Sequence, residues 1–473
     1  MKKQKEGKLG GRIWFNIILF GFMGQIAWAV ENMFFNTFLY NSVYNGASQE
    51  AVNGSIDVMS AISTMVAASA AFTVVATFLM GTLSDKIGKR KPFISFGYIL
   101  WGIVTASFGA ISRDNTASLF HLSDEVKILT VTVTMVIVMD CVMSFIGSTG
   151  NDAAFNAWVT DVSSTKNRAT VESVLAILPI GATVAVMGLA GFVGAIGYDV
   201  IFIVLGAIVT LCGIIGLFTI KDSTVKSETN ENYWNDLIYS FRPSVVKENK
   251  RLYLALSANC LSSTAFQVFF PYIFIYLGNV MNFSLDTLMA SLTPAIIAIA
   301  VVVVILAVTL VITAGRLMDK LGKQKFMVFS VVLYAAGLFA AGFAKSIIVF
   351  LIAAVPALAG WALFSIAMNA SVRDFMPEDK VGAFQGIRIL FYVLIPMIVG
   401  PFIGNFVCRF NEITYTNEYG VITSAPGYVM FWASAAVAIL TLIPVIILRR
   451  KIITLSTGRC WHRPLQKNFN ATL

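Results

Sequence analysis

An eleven-residue pattern, G-x-L-x-D-K-x-G-K-x-K, occurs twice without a gap in this chain of 473 residues. It reads GTLSDKIGKRK at residues 81–91 and GRLMDKLGKQK at residues 315–325. A second pair of acidic segments, around Asp161 and Asp374, each follows a long apolar stretch and precedes another. Repeats that recur in the same order indicate two related halves.

Composition places both halves in a membrane. Hydrophobic residues make up 57% of the chain and charged residues 12%, whereas about a quarter of a soluble domain is charged. A membrane-spanning helix needs about 20 apolar residues. Twelve such stretches start near Ile13, Ile56, Phe93, Val126, Thr170, Val200, Leu252, Leu285, Phe326, Ser346, Phe384 and Tyr428. We therefore predict an all-α integral membrane protein with 12 transmembrane helices in two pseudo-symmetric six-helix halves.

The basic residues predict the orientation, because Lys and Arg in short loops remain on the cytoplasmic side. Six helices per half place 30 of the 34 Lys and Arg residues on one side. The other four are Arg113, Lys127, Lys345 and Arg409. We expect a multi-pass protein of the cell membrane with both termini in the cytoplasm. The net charge of +9 is then a consequence of topology and does not indicate nucleic-acid binding.

Polar segments divide the chain. Residues 1–220 are predicted to form the N-terminal half and residues 251–448 the C-terminal half, with a cytoplasmic linker at 221–250 between them. Residues 449–473 form a basic cytoplasmic tail. The first apolar stretch is too long for a signal-peptide core and is expected to stay as a helix.

The residues that usually form metal or catalytic centres are scattered. The five cysteines have no CxxC spacing, and the two histidines, His121 and His462, fall in a predicted outer loop and in the tail. We expect no metal site and no cofactor. An intramembrane enzyme, which needs a nucleophile and base or a metal cluster at membrane depth, is disfavoured.

With its twelve predicted helices, central linker and doubled loop, the chain resembles the major facilitator superfamily over nearly its whole length. Within that superfamily, KIGKRKPFI and NDAAFNAWVTD resemble the glycoside-pentoside-hexuronide:cation symporters and the related sucrose transporters. This resemblance implies secondary active symport of a sugar or glycoside by alternating access, and a monomer is expected. Melibiose-type members carry acidic residues where this chain has Thr73 and Thr77, which favours proton coupling over sodium coupling.

The repeated loop is predicted to form a gate. The resemblance implies that Asp85 meets the start of the helix near Phe384 and, together with Arg90, holds the inner side shut. The alternative is that the basic residues of the loop only orient the chain. The full set of predicted gate residues is Gly81, Asp85, Arg90, Asp161, Arg168, Gly315, Asp319, Asp374 and Arg388. Asp152 is also assigned to a gate because it lies toward the cytoplasmic end of its helix. For Arg388, an anchor at the inner membrane boundary and a partner for a substrate carboxylate both remain open.

A polar stripe on the first helix is the leading substrate-binding candidate. Gln25, Trp28, Asn32 and Asn36 are spaced +3, +4 and +4, which places them on one helical face at about 100° per residue. Amides can bond paired hydroxyls, and an indole can stack on a sugar ring. Alternatively, the amides join neighbouring helices. In the second half, the predicted binding residues are Asn259, Gln267 and Trp361.

Two acids at membrane depth, Glu31 and Asp140, are the predicted proton-coupling residues, because an ionisable group in a membrane is expensive unless it has a function. A permanent ion pair with a basic residue is the alternative for Glu31. An exporter of drugs or metabolites also remains open, and it would be expected to have a more apolar cavity.

Small residues predict where helices pack closely. One stripe comprises Gly181, Ala185, Gly188 and Ala195, and a GxxxG pair is formed by Gly400 and Gly404.

Overall fold

The computed structural model describes residues 9–163, 168–190, 192–222, 241–281, 323–376, 384, 387–411, 413–416 and 421–458. Among these residues, nine helices are long and apolar enough to cross a membrane, and the shorter apolar helices Ile177–Leu189 and Phe326–Ala341 continue the series. The predicted stretch near Leu285 and the repeat residues Gly315 and Asp319 lie outside the described residues. The prediction of an all-α membrane fold is confirmed.

The helices follow the predicted order. The N-terminal half contains α1 (Gly11–Tyr44), α2 (Val58–Ile87), α3 (Lys91–Ala110), α4 (Glu125–Val162), α5 (Arg168–Ala190) and α6 (Val193–Thr219). The C-terminal half contains α7 (Lys250–Val280), α8 (Lys323–Ala341), α9 (Ile347–Phe375), α10 (Ile387–Cys408), α11 (Val429–Leu440) and α12 (Leu442–Gly458). Helices α11 and α12 are consecutive segments of one candidate membrane span, Val429–Arg450, which corresponds to the predicted stretch near Tyr428. Short helices at Gln49–Gly54, Arg113–Phe120 and Pro243–Glu248 lie between them. Helix α6 is broken at Gly197, where φ is 81°, so its regular long segment begins after Gly197, close to the predicted start near Val200.

A small β-hairpin marks one end of the bundle. Strands β1 (Ile413–Thr416) and β2 (Ile422–Ala425) are antiparallel, with Thr416 opposite Ile422. We call this the hairpin end. The opposite end, where Asp222 contacts the start of α3, is called the linker end.

Several hydrogen bonds join the two halves toward the hairpin end. The Tyr272 hydroxyl of α7 is 2.6 Å from Ser63 Oγ of α2. Asn405 Nδ2 of α10 and Arg409 Nη2, directly after α10, donate to Ser60 Oγ at 3.0 and 2.7 Å. These contacts fasten α2 to α7 and α10.

The hairpin itself also binds the N-terminal half. The Gln49 side chain accepts from the Ile422 N–H at 2.8 Å and donates to its carbonyl oxygen at 3.4 Å. The Tyr40 hydroxyl donates to the Ser424 carbonyl oxygen at 2.7 Å. Strand β2 is therefore held by α1 and by the short helix that follows it.

The buried apolar side chains form two clusters, which differ in whether they include both halves. One cluster of buried side chains extends from the N-terminal half into the hairpin-end part of the C-terminal half. A second cluster, which includes Leu252, Phe364 and Leu448, contains residues of the C-terminal half and Val245 of the linker, but none of the N-terminal half. In the described part of the chain, the halves thus share a core near the hairpin end but not at the linker end.

Glycines determine the closest helix contacts. A Cβ atom at Gly400 would lie 2.5 Å from Gln267 Cβ, and one at Gly404 would overlap the Val268 carbonyl oxygen of α7. The predicted GxxxG contact is therefore present between α7 and α10. The stripe predicted on α5 is wrong: Gly181, Ala185 and Gly188 are exposed. Ala195, its fourth member, is also exposed. The buried face of α5 is carried instead by Ala182 and Val186.

We predict that Gly404→Ala destabilises the protein, whereas Gly188→Ala does not. Overpacking of a close contact costs about 1–3 kcal/mol. A Cβ atom at Gly188 meets nothing within 4 Å, so this matched control should gain up to about 1 kcal/mol of helix propensity. Thermal unfolding in detergent measures both. Equal melting temperatures for the two variants would contradict the assigned contact.

Candidate functional site

Helices α1 and α4 bring the two predicted coupling acids together. Glu31 and Asp140 are buried, with relative exposures of 8% and 2%, and lie close enough to interact electrostatically. Ser144 Oγ donates to Glu31 Oε1 at 2.9 Å. Ser69 is buried, and its hydroxyl donates to the Val66 carbonyl oxygen at 3.2 Å. The second oxygens of the two acids, Glu31 Oε2 and Asp140 Oδ1, are buried without a hydrogen-bond partner.

The acid pair has no counter-charge in the described part of the chain. No described Lys, Arg or His nitrogen lies within 4.0 Å of either carboxyl group. The described residues therefore do not support the permanent ion pair considered for Glu31. Two neighbouring carboxylates without a cation repel each other, and their burial adds to the cost of ionising both. An arrangement of this kind can take up and release a proton.

The local backbone of α1 explains why the predicted stripe is not continuous. The helix changes to a wider π-helical turn at Glu31–Phe35, where 100° per residue no longer applies. The Asn32 side chain donates to the Trp28 carbonyl oxygen at 2.7 Å, and Asn36 donates to the Asn32 carbonyl oxygen at 3.2 Å. Both amides thus bond to their own helix. The Asn36 side-chain oxygen remains buried without a partner.

A cavity of about 270 Å³ lies between α1, α4 and α5. Its lining residues are Gly21, Gln25, Asn151, Asp152, Phe155, Asn156, Leu175 and Leu178. Asp152 Oδ1 accepts a hydrogen bond from Asn151 Nδ2 at 3.2 Å. The cavity therefore combines the predicted binding residue Gln25 with Asp152, which the sequence analysis had assigned to a gate.

Close packing fixes the polar wall of this cavity. The Tyr98 hydroxyl lies 3.0 Å from Asn151 Oδ1 and donates to the Phe20 carbonyl oxygen at 2.6 Å. A Cβ atom at Gly24 would meet Asn151 Oδ1 at 2.5 Å, so this position of α1 has to be glycine. The wall is a π-helical turn, Ser148–Phe155, within α4. Sequence analysis missed Asn151 and Asn156 as lining residues, although the polar run GSTGNDAAFN inside an apolar helix was a usable signal.

The remaining predicted binding residues are held by aromatic and amide contacts. Trp28 packs against the buried Trp101, with ring centroids 5.0 Å apart. In the C-terminal half, Trp361 stacks on Phe266 at 5.0 Å, and Asn259 Nδ2 donates to Ser263 Oγ at 3.4 Å. Gln267 packs against Gly400. Among the described residues, no hydrogen bond joins these side chains to the cavity of the N-terminal half.

Arg90 organises the linker end of the N-terminal half. Its side chain donates to Ser84 Oγ at 2.5 Å and pairs with Asp161 Oδ2 at 3.3 Å. The backbone N–H groups of Arg90 and Lys91 donate to Asp222 Oδ1 at 2.8 and 2.7 Å. These contacts join the linker-end parts of α2, α3 and α4 to the beginning of the predicted linker.

Among the other predicted gate residues, the structure describes the surroundings of Gly81, Asp374 and Arg388. Gly81 faces Ala153, at 3.8 Å from the position of a Cβ atom. The side chains of Asp85 and Arg168 lie outside the described residues, and Asp374 is exposed. The Arg388 guanidinium lies over the Tyr392 ring, 5.0 Å from its centroid. No described carboxylate lies within 4.0 Å of Arg388.

We predict that Arg90→Gln lowers stability in detergent by about 1.5–3 kcal/mol, the usual range for hydrogen bonds to charged groups. The adjacent Lys89 is exposed, so Lys89→Gln should stay within about 0.5 kcal/mol of the unsubstituted protein. Thermal unfolding without added lipid compares the two. If both substitutions have the same small effect, the Arg90 cluster does not stabilise this end.

Comparison with known proteins supports the fold. The sequence profile of the Major Facilitator Superfamily matches residues 13–313 and 301–454. The structure is similar to a D-xylose-proton symporter, with 14% identity, 92% of this chain and 96% of that chain covered, and a TM-score of 0.66. It is also similar to a variant of the nucleoside transporter NupG, with 13% identity, coverage of 92% and 99%, and a TM-score of 0.64.

A third similar structure is a bacterial homologue of the human lysosomal transporter Spinster in an inward-facing, occupied conformation. It has 14% identity, coverage of 94% of this chain and 98% of that chain, and a TM-score of 0.61. No curated protein matches the sequence. At these identities the structural likeness establishes the fold alone.

Proposed function

We propose that this chain, which belongs to the major facilitator superfamily, is a proton-coupled symporter of a sugar or glycoside that works by alternating access. Family membership identifies a multi-pass membrane transporter and not an enzyme. The finer assignment, to the glycoside-pentoside-hexuronide:cation symporters and related sucrose transporters, is part of the proposal. So are a location in the cell membrane, cytoplasmic termini and a monomeric state.

The observation that carries the proposal is the buried pair of acids on α1 and α4. Glu31 accepts a hydrogen bond from the Ser144 hydroxyl, and neither Glu31 nor Asp140 has a described cation within 4.0 Å. A bound proton would remove one of the two adjacent charges. Release of that proton restores the repulsion, so protonation can bias the helix arrangement. We assign the coupling proton to this pair.

The polar cavity beside α5 supports a hydroxylated substrate. Asp152, Gln25 and Asn156 offer a carboxylate and two amides, which can accept from and donate to neighbouring hydroxyl groups. Phe155 adds an aromatic surface for the C–H face of a ring. The volume of about 270 Å³ is close to the lower end of the usual range for ligand sites, about 300 Å³. This polar lining disfavours the exporter alternative, which calls for a more apolar cavity.

The second half would complete the site during the transport cycle. Hydrogen bonds join the halves toward the hairpin end, and in the described part of the chain no buried apolar cluster is shared between them at the linker end. The excess of basic residues assigns the linker end to the cytoplasm. We infer that this conformation opens inward, and that Gln267 and Trp361 approach the cavity when the linker end closes. In that closed state Arg90, Asp161 and the repeat loop would act as the gate.

Substitutions in the acid pair should abolish proton-driven accumulation of the sugar but not the exchange of sugar across the membrane. In proteoliposomes with an imposed proton gradient, we expect Glu31→Gln or Asp140→Asn to reduce accumulation of the transported sugar at least about tenfold, consistent with loss of a proton-transfer group. Counterflow, in which labelled and unlabelled substrate exchange without net proton movement, should persist. A panel of labelled mono- and disaccharides identifies the substrate first.

The matched controls are Glu125→Gln and Asp114→Asn, which make the same chemical changes at exposed positions of the hairpin end. They should accumulate sugar like the unsubstituted protein. Accumulation that survives in both acid-pair variants would remove the assigned proton site. Absence of sugar transport by folded, unsubstituted protein would remove the sugar-symporter proposal altogether.

Substitution of the cavity should instead impair binding. We expect Asp152→Asn and Gln25→Ala to raise KM for both accumulation and counterflow by about tenfold or more, because each removes hydrogen bonds to the substrate. Initial rates over a range of sugar concentrations measure this effect. If either variant lost accumulation but kept counterflow with an unchanged KM, its residue would belong to coupling and not to substrate binding.

A further inference from the structure

A groove of about 330 Å³ opens on the outer surface of the N-terminal half, away from the substrate cavity. It is lined by Met80 of α2, by Pro92, Phe93, Phe96, Gly97 and Leu100 of α3, and by Phe145, Ile146 and Thr149 of α4. Phe96 and Leu100 are 55% and 49% exposed, so the groove faces the surrounding membrane. Almost all of its lining is hydrocarbon, which suits an acyl chain.

Glycine makes the groove deep. A Cβ atom at Gly97 would lie 2.8 Å from Gly150 Cα, so the backbones of α3 and α4 touch at its floor. From Phe93 to Leu100 the helix rises about 10 Å, which takes the groove from the membrane boundary into the hydrocarbon region.

Basic residues adjoin the groove in the sequence. Lys91 directly precedes the lining residue Pro92, and the exposed Lys89 lies two residues before Lys91. The nearby Asp222 carboxylate accepts from the backbone N–H groups of Arg90 and Lys91. Neither ammonium group has a described carboxylate within 4.0 Å. Arg90, between them, is occupied by Ser84 and Asp161. Two lysines at a membrane boundary attract anionic lipid headgroups.

We propose that this groove binds one acyl chain of an anionic phospholipid, whose phosphate lies against Lys89 and Lys91. The site is independent of the substrate proposal, because it rests on the groove and the adjoining lysines. It also touches the transport machinery. Thr149 lines the groove, while Asn151 and Asp152 line the substrate cavity, and all three belong to the π-helical turn of α4. A lipid bound in the groove would contact this turn from the membrane side and stabilise its conformation.

Lipid titration of the purified full-length protein in detergent tests the site. Phosphatidylglycerol and phosphatidylcholine with identical acyl chains are added, and the rise in melting temperature reports binding. We expect phosphatidylglycerol to half-saturate at a concentration about tenfold or more below that of phosphatidylcholine, since each lysine adds to the attraction. Glycerol 3-phosphate, which has the headgroup charge but no acyl chain, should have no effect.

Substitutions test separately the proposed contacts with the lipid headgroup and with the acyl chain. Lys89→Gln with Lys91→Gln should abolish the preference for phosphatidylglycerol, and Leu100→Trp, which fills the groove, should abolish the response to both lipids. The matched controls are Lys127→Gln with Lys345→Gln, toward the hairpin end, and Leu351→Trp on the exposed face of α9. A preference that survives the double lysine substitution, or a full response in Leu100→Trp, would overturn the proposal.

Crosslinking provides a test that needs no variant. A phosphatidylglycerol with a photoactivatable acyl chain should label peptides containing residues 92–100 and 145–149 well above the exposed apolar face of α9, residues 347–358. Uniform labelling of both surfaces would mean that the groove holds only bulk lipid.

Discussion

The free energy of moving a charged group out of water governs both the shape and the chemistry of this protein. It explains why 30 of the 34 basic residues are predicted on one side of the bundle. It also makes the few acids that remain at membrane depth informative. Glu31 and Asp140 are buried and interact electrostatically, with a hydroxyl partner for Glu31 and no described cation for either acid, a combination that packing alone does not require. Reversible proton binding, as proposed above, would explain why two acids are buried together.

The geometry of the site depends on positions where side chains are absent. Gly24 allows α1 to approach Asn151 and Tyr98, and Gly97 allows α3 to approach α4 at Gly150. These contacts surround the π-helical turn of α4, which presents polar groups to the cavity on one side and borders the lipid-facing groove on the other. Wider helical turns recur at functional sites because they displace side chains from the regular helical pattern. Here such turns carry both Glu31 and Asp152.

The sequence predicted the parts of the fold that follow from hydrophobicity and repetition. Helix order, the GxxxG contact at Gly400 and Gly404, and the family all agree with the structure. The stripe on α5 was misplaced because small residues do not reveal which face of a helix is buried. The stripe on α1 was drawn as continuous because one sequence does not reveal a π-helical turn. Asp152 was assigned to a gate from its position along α4, since the partner helix that forms the cavity cannot be inferred from spacing.

The central claim is that a sugar and a proton cross the membrane together, and that the proton is carried by the pair formed by Glu31 and Asp140. The most direct test counts protons, by recording the pH of a lightly buffered suspension of proteoliposomes when the transported sugar is added outside. The account predicts alkalinisation of the medium in proportion to sugar uptake, and no alkalinisation in the double variant Glu31→Gln with Asp140→Asn, which should still exchange sugar. Sugar uptake by the unsubstituted protein without any change of pH would contradict the account.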